Sequence, residues 1–115
     1  MKYTERLQLE TQGITLSPAE LSIYLEEEGI IAPEADYNPA SNIDKRKIYL
    51  AALSILNSVA NNPSLMKSYK SDDIMIGDFA ESIQNRIDQL ERKIRMMASN
   101  DTQVSSSTFM LFNGV

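Results

Sequence analysis

The chain has 115 residues, with 11 Lys plus Arg against 16 Asp plus Glu, a net charge of −5, and no His, Cys or Trp. Those absences exclude a Ser-His-Asp triad, a cysteine nucleophile, a thiolate or imidazole zinc site and a disulfide. Acid–base work near neutral pH would fall to a perturbed carboxylate, Lys or Tyr. The acidic balance, with only the short basic runs Lys45-Arg46-Lys47 and Arg92-Lys93-Arg95, speaks against a nucleic-acid binder.

One domain is the expectation at this length. A hydrophobic fraction of 43% supports a modest core. A chain this short buries only about two-thirds of its unfolded surface, which gives it a motive to associate. Met1-Lys2-Tyr3-Thr4-Glu5-Arg6 is polar, and the longest apolar-rich run, residues 48–60, is interrupted by Ser54, Asn57 and Ser58. The expectation is a soluble protein made in a cytoplasm, with no signal peptide and no membrane span.

The opening sixteen residues admit two readings. Tyr3, Leu7 and Glu10 fit a short helix closed near Gly13, the favoured reading; Leu7/Leu9 and Ile14/Leu16 also alternate around Thr11-Gln12-Gly13 as a hairpin would. Ser17-Pro18-Ala19-Glu20 is a capping box with proline at the first helical position, and Leu16 and Leu21 have the spacing of a hydrophobic staple. The spacing predicts a helix to about Glu28, stopped by Gly29 in the left-handed conformation. Glu26-Glu27-Glu28 sits at the negative end of that helix dipole, so the end frays or those carboxylates meet a basic partner.

Residues 30–41, with Pro33 and Asn38-Pro39, read as loop. Asn42 is the expected cap of a helix from Ile43 to about Ala60, ended by Asn61-Asn62-Pro63. Its second half is apolar nearly all round, which marks it as the centre of the fold. Residues 64–77 form a second long connection, in which Ile74-Met75-Ile76 is a short strand or a loop tip. Asp78 is the expected cap of a last helix from Phe79 to about Ala98, with Glu81 at capping-box spacing.

That helix has the cleanest periodicity. Ala80, Ile87 and Ile94 fall at heptad position a, and Ile83, Leu90 and Met97 at d. Asp88–Arg92 and Glu91–Arg95 have the acid-before-base spacing of i,i+4 pairs. The same seam suits intramolecular packing and a contact between subunits, so Ile83, Ile87, Leu90, Ile94 and Met97 are candidate interface residues. Residues 99–108 are polar and Ser-rich, and are followed by Phe109-Met110-Leu111-Phe112, the most hydrophobic tetrad of the chain. A polar linker of about ten residues spans up to ~33 Å when extended, enough to reach a neighbouring subunit. The tetrad therefore reads as an arm that packs on another copy, the alternative being a tail folded back on its own helices.

The expected fold is all-α: a small helical bundle with long loops and an extended C-terminal arm, divided into a helical domain over residues 1–98 and the arm over 99–115. Asp72, Asp73 and Asp78 form the acidic loop cluster, but lack the oxygen spacing of a calcium or magnesium site. Tyr3, Tyr24, Tyr37, Tyr49 and Tyr69 are scattered, as core-rim residues are. No catalytic residue, metal or cofactor is expected, and an enzyme is disfavoured.

The order of parts resembles the head–tail connector (neck adaptor) proteins of tailed bacteriophages. The resemblance covers residues 17–98: a capped short helix, a long apolar helix ending at Asn61-Asn62-Pro63, a polar loop with Ile74-Met75-Ile76, and a final amphipathic helix with Arg86-Ile87-Asp88-Gln89-Leu90-Glu91. It implies a non-enzymatic virion protein that forms a ring, typically of twelve copies, beneath the portal. The ring would extend the DNA channel and dock the next neck or tail protein. On this reading the partners are the chain itself, the portal protein and the downstream component, with DNA only as passing cargo and no membrane. The location is the virion neck, and the host cytoplasm during assembly. A negative wall would let DNA slide without sticking, and the two long loops would reach portal or channel. The alternative is a small cytoplasmic adaptor or regulatory protein that dimerises through its final helix.

Overall fold

A computed structural model of the chain describes residues 1–62 and 76–113, with side chains described over 1–62 and 77–97. It is an all-α bundle of four described helices: α1 (Tyr3–Glu10), α2 (Pro18–Glu27), α3 (Asn42–Ala60) and α4 (Ile76–Asn113). The sole β pairing among the described residues is one antiparallel bridge, Lys2 to Asp36. No helix, among the residues described, is long and apolar enough to cross a membrane.

Helix rather than hairpin wins in the first sixteen residues. The reason lies in the loop at 30–41, which answers the free amides at the start of α1. The Tyr3 and Thr4 amides donate to the carbonyls of Ala35 and Pro33, each at 3.2 Å, and the Lys2 amide donates to Glu5 Oε1 at 2.7 Å. The Tyr37 amide donates to Met1 O at 2.7 Å. Donors that a helix start leaves unpaired are thus paired from a distant segment.

The start of α2 follows its sequence signature. The Glu20 amide donates to Ser17 Oγ at 3.2 Å, and the Ser17 amide donates to Glu20 Oε1 at 3.1 Å. Leu21 is buried and Leu16 packs partly buried against the same core. At the far end Gly29 takes φ +93°, the left-handed region where an L side chain is strained.

Helix α3 starts one residue earlier than its pattern suggests. Ser41 is the cap, its hydroxyl accepting from the Asp44 amide at 3.1 Å, and Asn42 is the first helical residue. A hydroxyl one position upstream takes the role expected of the Asn42 amide group. Ile48, Ala51, Ala52, Ile55, Leu56 and Val59 are all buried. α1, α2 and α4 each pack on α3, and α1 also packs on α2; among the described helices the backbone of α4 packs closely only on α3. The helix that is apolar nearly all round is the one surrounded.

Helix α4 departs from expectation at both ends. It begins at Ile76, so Asp78 lies in its first turn instead of capping it. It does not stop near Ala98 but continues to Asn113, so the segment read as an extended linker is helix. The sequence offers a reason: no Gly or Pro occurs from Asp78 to Asn113, and Gly114 is the first natural breaker. Residues 74 and 75, the other two of Ile74-Met75-Ile76, lie outside the described residues, as do Asp72, Asp73 and Tyr69.

Candidate functional site

The seam of α4 is used within the chain over most of its described length. Phe79, Ile83, Ile87 and Leu90 belong to the same core as Ile48, Ile55 and Leu56 of α3. Burial then relaxes along the helix: Ile83 is 1% exposed, Ile87 and Leu90 4%, Ile94 9%, and Met97 is only half-buried. The backbone of Phe109-Met110-Leu111-Phe112 is helical, and the side chains there lie outside the described set.

Side-chain contacts give the relative run of the helices. Lys93 Nζ lies 5.5 Å from the Tyr49 ring centroid; α1 runs from Tyr3 at Asp44, past Arg6 at Tyr49, to Glu10 at Arg86, so α4 runs antiparallel to α3. With antiparallel rise matched residue for residue, position 100 of α4 stands level with Asn42, where α3 begins. Residues 101–113 then extend for roughly 20 Å at ~1.5 Å per residue with no α3 beside them. Length alone makes the same point. The 38 residues of α4 reach about 57 Å, the 19 of α3 about 28 Å, and the longest dimension of the molecule is 57 Å.

Polar ties fix α1 against this pair. The Tyr3 hydroxyl donates to Asp44 Oδ2 at 2.6 Å, joining α1 to the start of α3. That hydrogen bond, with burial and the nearby Asp44 charge, raises the phenol above its ordinary value. The Tyr3 and Tyr37 rings meet edge to face at 5.6 Å, and the Arg6 guanidinium lies 5.6 Å from Tyr37 and 5.9 Å from Tyr49. Arg6 also pairs with Glu10 at 2.9 Å. Arg86 of α4 reaches across to the end of α1, its two terminal nitrogens donating to Gln12 O and Glu10 O, each at 2.6 Å. Burial lowers the Arg86 value, and the Glu10 charge opposes that. Tyr3, Tyr24, Tyr37 and Tyr49 all sit half-buried at the edge of the core.

The outer surface carries charges left without partners. Gln84 Nε2 donates to Asp88 Oδ1 at 3.1 Å, and the expected Asp88–Arg92 and Glu91–Arg95 pairs do not form. A neutral amide one turn upstream satisfies Asp88 in place of Arg92. Glu26, Glu27 and Glu28 likewise meet no cation among the described residues. The basic group that comes to this helix end is Lys47, whose Nζ donates to Gly29 O at 3.4 Å. It answers a terminal carbonyl and the dipole, not the carboxylates. Ile23 and Met96 are 57% and 62% exposed.

A surface depression of about 210 Å³ is lined by Lys2, Thr4, Glu5, Gln8, Pro18, Leu21 and Glu34. Its charges are engaged: Lys2 pairs with Glu34 at 3.2 Å, and Glu5 accepts from the Lys2 amide. Among the described residues no grouping of three acidic side chains could hold a metal ion.

Sequence reasoning found the seam but missed the ties. Arg86 lies 74 and 76 residues from the carbonyls it holds, and Tyr3 lies 41 from Asp44, so no local pattern joins them. Met96 was within reach: it occupies heptad position c, on the face opposite the seam, where an apolar residue is out of place. The chain matches no family model, no curated protein and no solved structure.

Proposed function

We propose that this chain is a non-enzymatic structural protein of a tailed-phage virion, a ring subunit of the neck between portal and tail. In this role it extends the DNA channel and docks the next tail component. The observation that carries the reading is the length of α4, about a third of which runs past the start of α3. A helical stretch of thirteen residues rich in Ser and Thr is marginal in water unless packing covers it. By the matching of Lys93 with Tyr49, α3 begins level with residue 100 and does not accompany this stretch, whose sequence ends in the apolar tetrad. A neighbouring protein copy supplies the missing cover.

The adaptor alternative draws less support. A dimer through the final helix needs a free seam, and Ile83, Ile87 and Leu90 already lie under α3.

The test is to mix the purified chain with tailed-phage portal particles and image them. A ring of the chain on one end of the portal is the expected outcome, lost when Phe109→Ser and Phe112→Ser are combined. A chain that ignores the portal and forms a stable dimer at low concentration rejects the neck reading.

A further inference from the structure

The geometry points to a head-to-tail contact between copies of this chain, in which the outer face of α2 in one copy docks on the outer face of α4 in the next. This rests on the ring reading, and names the surfaces that would build the ring. The α2 face presents Ile23, with Glu26 and Glu27 one turn on. The α4 face presents Met96, with Arg92 and Arg95 one turn back and beside it. All six are exposed, and none of the four charged side chains has an ion pair or hydrogen bond among the described residues.

The two faces are complementary in kind. Each has one exposed apolar side chain flanked by two like charges, and the signs are opposite. Residues 26–28 carry three anions; residues 91–97 carry three cations and one anion. A local cationic patch on a chain of net charge −5 stands out against its background. Opposed charges across a contact set register and suppress wrong pairings.

The placement also suits contact between copies. α2 and α4 each pack on α3 but not on one another, so the faces cannot satisfy each other within one chain. α2 lies along α3 between Ser58, which accepts from the Tyr24 hydroxyl at 3.4 Å, and Lys47, which donates to Gly29 O. A heterologous contact between two different faces repeats from copy to copy, and it forms a ring where the rotation closes.

Two helix faces bury less than the roughly 1,000 Å² of a stable isolated interface, so crosslinking is the suitable readout. The chain has no cysteine of its own. The full chain carrying both Ile23→Cys and Met96→Cys, treated with a short bismaleimide, should give a ladder of dimers, trimers and higher species. Each single-cysteine variant should remain monomeric. Adding Glu26→Lys and Glu27→Lys should reduce the ladder at least about tenfold, and adding Arg92→Glu and Arg95→Glu to that same chain should restore it. These positions are exposed, and circular dichroism checks that each variant stays helical.

A double-cysteine chain that stays monomeric at millimolar concentration overturns the contact, as do single variants that link equally well or a reversal without effect. Portal-bound rings that form despite the four reversals leave the neck reading standing and reject this interface. A ladder from a chain that ignores the portal keeps the interface and rejects the neck.

Discussion

Arg86 closes the end of α1 from outside it. Its fork donates to the carbonyl of Glu10, the last residue of the helix, and to that of Gln12 just beyond it, a geometry a planar guanidinium meets and an ammonium does not. Arg86→Leu should destabilise the fold by about 1–3 kcal/mol, from the charged hydrogen bonds lost at a partly exposed site. Arg86→Lys should recover less than half of that; urea unfolding reads both. Tyr3 offers a pH-dependent counterpart. Its hydroxyl donates to Asp44, so the folded state favours the neutral phenol and holds its value above the ordinary one. That contribution is whole below the unfolded tyrosine value of about 10, and is lost as pH climbs through the higher folded value. Tyr3→Phe should cost about 0.5–1 kcal/mol at neutral pH. The gap between wild type and variant should narrow above pH ~10 in chemical denaturation run across that range.

At the scale of the helix, the signals that held were those whose chemistry is local. The box Ser17–Glu20 needs only four consecutive residues, and Gly29 needs only its own missing side chain, so both were legible. The core seam was legible too, because Phe79 to Leu90 face α3 with unbroken apolar spacing. The end of α4 was not. Polar composition in residues 99–108 suggested a linker, yet Ser, Thr, Gln and Asp merely weaken a helix, and nothing there breaks it. Since α3 stands beside α4 only to about residue 100, the bundle should not depend on the last fifteen residues for its stability. A chain ending at Asn100 should unfold cooperatively with a melting temperature within about 4 °C of the full chain, the shift that ~1 kcal/mol produces at this size. A larger loss, or a non-cooperative melt, would place residues 101–115 inside the fold's own stabilising set.

Across the whole molecule, legibility falls with sequence separation. An all-α bundle around α3 follows from one run of residues that is apolar on almost every side. The ties that orient its neighbours do not follow: Tyr3 to Asp44, Tyr24 to Ser58 and Arg86 to Glu10 each join residues more than thirty positions apart. For the surface proposed to meet other copies, the acidic run at 26–28 was visible as an anomaly in the sequence. Its partner was not, because Arg92 and Arg95 look satisfied by their own helix until Asp88 is seen to take Gln84 and Glu91 to form no ion pair.

The stitching of residues 1–4 to 33–37 has a temporal side. The opening amides of α1 find their acceptors only in residues about thirty positions downstream. During synthesis water answers those two amides until the segment through Ala35 has left the ribosome. A protease that nicked the loop between those acceptors would loosen the beginning of the chain as well as the cut site, so the two would be lost together.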